Sequence, residues 1–260
     1  MKDLIELANE LDDAASSAKL IEQVTQRHAS LTLSDAYEIQ KLAIDCRIAR
    51  GESLVGVKMG FTSRAKMTQM GLNDLIWGRL TDAMMIDDGG MLDATRFIHP
   101  RVEPELAVRL KRPLSGRVSA LEAWQAVGAI APAIEIIDSR YRDFKFALVD
   151  VVADNASSSA FVVGAWQEPD LDISNLGIVL SIDGQPSQYG STAAILGHPI
   201  RSLVAATRLA SEAGLILEPG WIVMLGGATS AEAISGARHV RLETQGLGCV
   251  DFGIVGGTSK

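Results

Sequence analysis

The sequence predicts an α+β protein in which a helical segment precedes a larger part that forms a curled sheet or a sandwich. About the first fifty residues carry apolar side chains at helical spacing, and the rest carries short apolar runs separated by glycine. Helices do not alternate regularly with these runs, so a doubly wound nucleotide-binding fold is not expected. Near residue 53 the apolar pattern changes from helical spacing to short runs. We therefore predict a helical N-terminal subdomain at 1–52 and a β-rich domain at 53–260.

The composition argues against several classes of protein. The chain has 260 residues, 47% of them apolar, and a formal net charge of −8 with scattered Lys and Arg, so we expect a large core and no nucleic-acid partner. Its apolar runs are shorter than the ~20 residues that cross a bilayer, and acids interrupt the N-terminal apolar stretch, unlike in a signal peptide. Cys46 and Cys249 lie far apart, which fits a reducing compartment. We expect a cytoplasmic protein without a membrane partner.

Helices are predicted from capping residues and apolar spacing. The segment LSDAYEIQKLAIDCRIARG has Ser34 as its expected N-cap, and SAKLIEQVTQRH before it predicts another short helix. Further along, Ser119 and Glu122 have the spacing of a capping box. A last helix is expected where Pro199 suits the first turn. The first two helices belong to the N-terminal part, and the other two interrupt the strands.

Strands are predicted where short apolar runs are bounded by turn residues. They lie near 53–59, 102–110, 132–138, 159–164, 177–182, 220–225, 238–244 and 248–255. SIDGQP predicts a hairpin, because Asp-Gly favours the turn type that matches strand twist. GGATSAEA at 226–233 is consistent with an anion cradle, but we favour a tight turn leading into a short helix, since no nucleotide-binding glycine motif is present.

Three acidic residues are candidates for a metal site. In the strand RVEPELAVRL, side chains alternate between two faces, so Glu103 and Glu105 point to the same side. Glu135 interrupts the apolar strand APAIEIIDS, where a carboxylate is costly to bury unless it is paired or binds a cation. Carboxylates without a nearby His or Cys suit Mg²⁺ or Mn²⁺ better than Zn²⁺. The alternative is that Glu103 and Glu105 face solvent and Glu135 pairs with an arginine such as Arg140.

Two further segments place polar groups in apolar surroundings. Lys58 lies among apolar residues in SLVGVKMGFTS, where burial requires an anionic partner such as a substrate carboxylate. The alternative for Lys58 is an exposed position on an edge strand. The segment VDVVADNASSSAFVVG supplies Asp, Asn and Ser between apolar runs, as a loop lining a polar pocket does, although a plain turn also fits. The chain has no GxSxG motif and no local base, so a serine nucleophile is not expected.

These motifs resemble the fumarylacetoacetate hydrolase superfamily. In chain order they are GVKMGFTSRAKM, VEPELAVRL, PAIEIIDSRY, VADNASSSAFVVG and GGATSAEA. Within the superfamily they are similar to the branch that holds the hydratases and decarboxylases of aromatic meta-cleavage pathways. The IWGRLTD portion of the sequence resembles the decarboxylases of that branch more than the hydratases.

The resemblance implies a fold and a cofactor. The expected fold is a mixed β-sandwich roll, similar to the C-terminal domain of fumarylacetoacetate hydrolase, with a helical N-terminal subdomain, and the domain at 53–260 is expected to be catalytic. The expected cofactor is Mg²⁺, with Mn²⁺ as the second choice. The resemblance implies that its ligands are Glu103, Glu105 and Glu135.

The resemblance also implies an activity, which is metal-dependent decarboxylation of 2-oxo-3-hexenedioate to 2-hydroxypenta-2,4-dienoate and CO₂. Lys58 is the expected catalytic residue, and the expected substrate-binding residues are Ser157, Ser159 and Thr229. The alternatives are hydration of 2-hydroxypenta-2,4-dienoate and a non-catalytic subunit that binds 2-oxo acids. The expected partners are a small 2-oxo dicarboxylate substrate, further copies of this chain in a homo-oligomer, and the hydratase of the pathway.

Overall fold

The structure is a computed structural model that describes residues 4–62 and 75–256. Its N-terminal helices are α1 (Leu4–Ser16), α2 (Val24–Arg27) and α3 (Leu33–Ala49), and its later helices are α4 (Ala120–Ala126), α5 (Leu148–Ala153) and α6 (Pro199–Glu212). None of the helices in the described ranges is long and apolar enough to cross a membrane. Part of the motif GVKMGFTSRAKM falls at 63–74 and lies outside the described residues.

The first residues of the helices can be compared with the predicted N-cap residues. Ser119 caps α4 in a capping box with Glu122, and Pro199 opens α6, as predicted. The expected N-cap Ser34 is wrong, because Thr32 caps α3 and exchanges hydrogen bonds with Asp35. The helix predicted in SAKLIEQVTQRH is also mostly wrong, since only the four residues of α2 are helical there.

The strands form two sheets. They are β1 (Leu54–Gly60), β2 (Ile76–Thr81), β3 (Met85–Ile86), β4 (Met91–Asp93), β5 (Arg101–Leu110), β6 (Val127–Ile137), β7 (Ser158–Val163), β8 (Gly177–Ile182), β9 (Gln185–Ser191), β10 (Ile222–Met224), β11 (Glu232–Ala233), β12 (His239–Thr244) and β13 (Gly248–Val255). Within the described part of the chain, the larger sheet has the order β2-β1-β10-β5-β6-β7-β3, with β11 beside β5. The smaller sheet has the order β4-β13-β12-β8-β9. All the predicted strands are present: β8 and β13 have the predicted bounds, the other six have shifted ends, and the Asp-Gly hairpin joins β8 to β9.

The two sheets pack face to face. The largest apolar cluster takes Val108 and Ile134 from the larger sheet and Val240 and Phe252 from the smaller one. Parallel pairs, such as β1 with β10, occur beside antiparallel pairs, so the larger sheet is mixed. Side chains from two inner faces that share one core define a sandwich. The predicted α+β class and the mixed β-sandwich with N-terminal helices are therefore confirmed.

The opposite face of the larger sheet carries the acids. Because side chains alternate along β5, Leu106 points into the core between the sheets, and Glu105 points away from it. The N-terminal helices pack against α5 and β2 in a separate apolar cluster that includes Ile39, Val152 and Ile76. The division at residue 52 coincides with the change from helix to strand, and as a boundary between folding units it stays a prediction.

The segment VDVVADNASSSAFVVG is more regular than the predicted loop. It forms α5, a 3₁₀ turn at Asn155–Ser157 and then β7. Asn155, Ala156 and Ser157 have φ angles of 50°, 52° and 59°. This left-handed conformation costs roughly 1–2 kcal/mol for most non-glycine residues, so contacts with neighbouring elements must hold the turn. GGATSAEA likewise differs from its prediction, because its turn leads into β11 and not into a helix.

Candidate metal centre

Three carboxylates meet on one face of the larger sheet. Glu103 and Glu105 lie on β5, and Glu135 of β6 stands directly opposite Glu103 in the antiparallel register. One carboxylate oxygen from each of the three acids lies within 4.8 Å of the others. Glu105 and Glu135 are fully buried, and Glu103 is partly buried. The alternative of a solvent-facing side chain is therefore wrong for Glu105.

Lys58 lies beside these acids in the interior of the sheet. Its strand β1 pairs with β2 on one side and β10 on the other, so Lys58 is not on an edge strand. The residue is 2% exposed, and its Nζ lies 3.0 Å from Oε2 of Glu135 and donates a hydrogen bond to the carbonyl of Ala156 at 3.2 Å. Arg140, the alternative partner for Glu135, pairs with Asp154 instead.

Burial and neighbouring charges shift the protonation of this cluster. Burial raises the pKa of Glu105 well above its usual range, and the charge of Glu135 raises it further. Burial also raises the pKa of Glu135, although the Lys58 ammonium opposes this. Burial acts to lower the pKa of Lys58, but the surrounding carboxylates outweigh it and leave that pKa raised. The lysine therefore stays charged, and the raised pKa values of the acids show that the cluster favours additional positive charge.

The available donor atoms fit a hard divalent ion. Oε1 of Glu105 and Oε1 of Glu135 are buried and accept no hydrogen bond from any residue in the described ranges. A buried carboxylate oxygen without a partner is costly unless a cation takes that place. Three oxygen ligands without His or Cys are typical of Mg²⁺ or Mn²⁺ sites that keep open positions for water or substrate. The residues present thus fit the expected metal.

The turn after β10 closes one side of the acid cluster. The backbone N–H of Gly226 donates a hydrogen bond of 2.8 Å to Oε2 of Glu105. A Cβ atom at Gly227 would lie 3.2 Å from the carboxyl carbon of Glu103, so the turn packs closely against both acids of β5. The sequence motif associates this turn with the substrate but does not by itself indicate the N–H of Gly226. The glycine pair at the end of an apolar strand is the signal that points to it.

The expected substrate-binding residues differ in their hydrogen bonding. Ser157 is buried, and within the described residues its hydroxyl has no hydrogen-bond partner. The hydroxyl of Ser159 accepts a hydrogen bond from Arg140 at 2.7 Å and lies 3.2 Å from the carbonyl oxygen of Ser157. Thr229 follows the glycine pair, and its hydroxyl donates to the carbonyl of Ser230. The roles of these three residues toward a substrate stay predictions.

Asn155 ties the left-handed turn to β2, a contact that sequence analysis did not single out. Its Nδ2 donates to the carbonyl of Arg79 at 2.9 Å, and its Oδ1 accepts from the N–H of Arg79 at 2.8 Å. Gly78 makes room for this approach, because a Cβ there would lie 2.6 Å from the carbonyl oxygen of Asn155. Asn tolerates the left-handed conformation better than most residues. An Asn within a polar run between apolar segments is therefore the sequence feature that could have indicated this turn.

The sequence and the fold match a known class of protein. The family model described as fumarylacetoacetate (FAA) hydrolase C-terminal matches residues 57–255, which is most of the chain. The chain therefore belongs to the fumarylacetoacetate hydrolase family.

Within this family, the chain is similar to decarboxylases and hydratases. A 4-oxalocrotonate decarboxylase of Pseudomonas sp is 56% identical over 250 residues, which cover 96% of this chain and 97% of the relative. A 2-hydroxyhexa-2,4-dienoate hydratase of Comamonas testosteroni is 32% identical over 244 residues, which cover 92% of each chain. The solved structure of 4-oxalocrotonate decarboxylase from Pseudomonas putida G7, complexed with magnesium and adipate, superposes with a TM-score of 0.94 at 36% identity over 98% of both chains. The resemblance inferred from the motifs is confirmed.

Proposed function

We propose that this chain is a metal-dependent decarboxylase that converts 2-oxo-3-hexenedioate (4-oxalocrotonate) to 2-hydroxypenta-2,4-dienoate and CO₂. The observation that carries the proposal is the buried acid cluster with its lysine, in a chain that is 56% identical to a 4-oxalocrotonate decarboxylase. The adipate in the solved relative supports it, because adipate is a six-carbon dicarboxylate like the proposed substrate. We propose Glu103, Glu105 and Glu135 as the ligands of Mg²⁺, with Mn²⁺ as a possible substitute.

The proposed reaction removes the C6 carboxyl group of the substrate. The C5–C6 bond breaks, CO₂ leaves, and the electron pair moves through the conjugated chain to the keto oxygen at C2, which then takes up a proton. Bound Mg²⁺ supplies a Lewis acid that stabilises the negative charge developing on that oxygen. The buried faces of β5 and β6 exclude water from this charge, which strengthens every electrostatic interaction around it.

In this proposal Lys58 stabilises the developing oxyanion. Its pKa is raised, so the ammonium is charged at neutral pH. Preorganised positive charge in a dry site is among the strongest contributions to catalysis. An ammonium group has three N–H donors, and among the described residues Glu135 and Ala156 contact it, so a third donor is proposed to reach a substrate oxygen. We propose Ser157, Ser159 and Thr229 as the substrate-binding residues.

Hydration of 2-hydroxypenta-2,4-dienoate is the second candidate, because a hydratase relative also covers 92% of the chain. The experiment is to incubate the purified protein and Mg²⁺ with 2-oxo-3-hexenedioate, and separately with 2-hydroxypenta-2,4-dienoate. We expect CO₂ release from the first compound and unchanged diene absorbance with the second. Loss of diene absorbance without CO₂ release supports the hydratase instead. Binding of 2-oxo acids without turnover of either compound supports a non-catalytic subunit.

We also propose that the chain forms a homo-oligomer and associates with the hydratase that consumes its product. Such a complex protects an unstable dienol from ketonising in water before the next enzyme receives it. Size-exclusion chromatography with light scattering, on the protein alone and mixed with that hydratase, measures both associations. Elution as a monomer at micromolar concentration contradicts the homo-oligomer. Unchanged elution of the mixture contradicts the complex with the hydratase. A cytoplasmic location stays a prediction.

A further inference from the structure

The turn at residues 155–157 connects the proposed catalytic lysine to the neighbouring strand β2. We infer that Asn155 is a positioning residue, which holds this turn so that the carbonyl of Ala156 orients the ammonium of Lys58. The inference rests on the role proposed above for Lys58. In the described part of the chain, the hydrogen bonds of the Asn155 side chain go to Arg79 and not to the acids, so Asn155 is inferred to act through the lysine.

The side-chain amide of Asn155 makes hydrogen bonds to the backbone of β2, as a neighbouring strand would. Its two hydrogen bonds, to the N–H and the carbonyl of Arg79, are 2.8 Å and 2.9 Å long. These are the backbone groups that a neighbouring strand would otherwise bond. In the β1–β2 register Gly78 pairs with Lys58, so the turn meets β2 at the same level of the sheet as the lysine.

The flanks of the turn are anchored separately by Arg140. Its Nη2 donates to the carbonyl of Asp154 at 2.9 Å, and its Nη1 donates to the hydroxyl of Ser159 at 2.7 Å. Its Nε also bonds the carboxylate of Asp154. These contacts hold the residues before and after the turn, while the Asn155 amide holds the turn itself against β2. A change at Asn155 should therefore loosen the turn without unfolding the segment.

The backbone of the turn needs such a contact. Ala156 has φ 52° and ψ 36°, and a left-handed alanine brings its Cβ too close to the following carbonyl. Residues keep such conformations only where the surrounding structure determines them. Ala156 is also the residue whose carbonyl accepts the hydrogen bond from Lys58. Without the Asn155 amide, the turn can relax and its carbonyl can move away from the ammonium.

The experiment compares variants that separate the amide from the backbone. Asn155→Gly removes the amide but keeps a residue that adopts the left-handed conformation without strain. We expect kcat for decarboxylation to fall about tenfold or more, because small misplacements of a catalytic group are costly. The KM and the Mg²⁺ concentration that half-saturates thermal stabilisation should change less than about twofold. The NMR correlation between Cε and Nζ of Lys58, assigned with Lys58→Arg, should also shift.

Gln40→Ala is the matched control. The buried Gln40 amide also joins β2 to the helix before the turn, through hydrogen bonds of 3.0 Å to the carbonyls of Trp77 and Val152. Its Oε1 also accepts a hydrogen bond of 2.6 Å from Arg79, but from the side chain and not from the backbone groups that Asn155 bonds. Loss of the Gln40 amide should lower the melting temperature but leave kcat and the Lys58 correlation nearly unchanged in the folded protein. Gln167→Ala, which removes an amide bonded to the carbonyl of Leu247 in another region, is the second control if Gln40→Ala does not fold.

A double-variant cycle tests whether Asn155 acts through Lys58. In the Lys58→Ala background, with enzyme in excess over substrate, Asn155→Gly should lower the rate no further. An additive loss in that background overturns the inference, as does a kcat of Asn155→Gly equal to that of the wild type. An equal loss in the control also overturns it, by assigning the effect to stability. A wild-type protein without any turnover overturns the proposed function and the inference together, so the two failures are distinguishable.

Discussion

At the scale of single residues, the site depends on charges that the sheet removes from water. Glu105 and Glu135 are fully buried, and Lys58 is almost so. A buried charge is retained only where a partner compensates for the lost hydration. The lysine gives that compensation to Glu135, and the carboxylate oxygens without hydrogen bonds require a cation. The need for a lysine and a cation at this site therefore follows from the free energy required to bury its carboxylates.

Lys58→Ala tests the catalytic role of the lysine. We expect kcat to fall by about 10²–10³-fold, the usual effect of removing one preorganised donor to an oxyanion. The protein should remain folded in Mg²⁺, as circular dichroism can verify. Lys41→Ala is the control, because Lys41 forms an exposed ion pair with Asp45 on α3. Near-normal turnover in a folded Lys58→Ala protein would contradict the assignment.

Glu105→Gln tests the metal site without relying on activity. An amide removes one negative charge from the cluster, so Mg²⁺ should no longer raise the melting temperature, whereas the wild type should gain about 2.7 kcal/mol of stability at a hundredfold excess over Kd. Differential scanning calorimetry with and without Mg²⁺ gives both values. The exposed Glu218→Gln serves as control and should keep the full response. An unchanged Mg²⁺ response in Glu105→Gln means that the ion binds elsewhere.

The residues of the site were predictable to different degrees. Strand alternation alone places Glu103 and Glu105 on one face, since it depends only on local geometry. Their meeting with Glu135 depends on the register between β5 and β6, which sequence spacing does not determine. The contact between Lys58 and Glu135 likewise requires the strand order of the finished sheet. The family resemblance grouped the three acids as metal ligands and placed Lys58 in the site, but the pairing of Lys58 with Glu135 was not predicted.

At the scale of elements, reciprocal caps decide where the helices begin. Thr32 caps α3 because its hydroxyl accepts a hydrogen bond from the Asp35 N–H, and the Asp35 carboxylate accepts one from the Thr32 N–H. Ser34, the predicted cap, has Tyr37 at the corresponding position, and tyrosine cannot complete a capping box. The shortest strands, β3 and β11, have only two residues each, so they carry no periodic signal. Tertiary pairing creates them.

Ser119→Ala tests the predicted capping box of α4. The Ser119 hydroxyl accepts from the N–H of Glu122, and the Glu122 carboxylate accepts from the N–H of Ser119. Loss of such a cap costs ~1 kcal/mol, so the urea midpoint should fall while kcat stays unchanged. Ser16→Ala at the end of α1 is the control and should have a smaller effect. An equal urea midpoint for Ser119→Ala and the wild type would show that the cap contributes nothing.

At the scale of the whole molecule, an acidic protein handles an anionic substrate through local positive charge. The net charge of −8 does not favour a dicarboxylate, so attraction must come from the buried lysine and a bound cation. The same cation links stability to pH, because metal binding requires ionised carboxylates. The larger sheet thus couples ligand binding, protonation and folding at one place.

Mg²⁺ binding should weaken as the pH falls. The pKa of Glu105 is raised in the metal-free folded protein, so below that pKa the ion must displace a proton, and Kd should rise about tenfold per pH unit for one proton. The metal-free folded state also holds this proton over a range where the unfolded chain releases it. Stability without metal should therefore fall as the pH rises from the ordinary glutamate value to the raised one.

At saturating Mg²⁺ the stability should no longer fall as the pH rises over this range. Isothermal titration calorimetry at several pH values measures Kd and the protons released, and thermal unfolding with and without Mg²⁺ measures the stability. A Kd independent of pH would mean that Glu105 is already ionised before the metal binds.

The place of β10 in the larger sheet has a consequence during protein synthesis. The acids lie on β5 and β6, which can pair as a hairpin early, but β10 must enter between β1 and β5 before Lys58 and the Gly226 N–H can reach them. A nascent chain therefore exposes its carboxylates while the C-terminal strands are still inside the ribosome. Only a chain translated beyond those strands can bring Lys58 and the Gly226 N–H to the acids, so a truncated copy lacks both contacts.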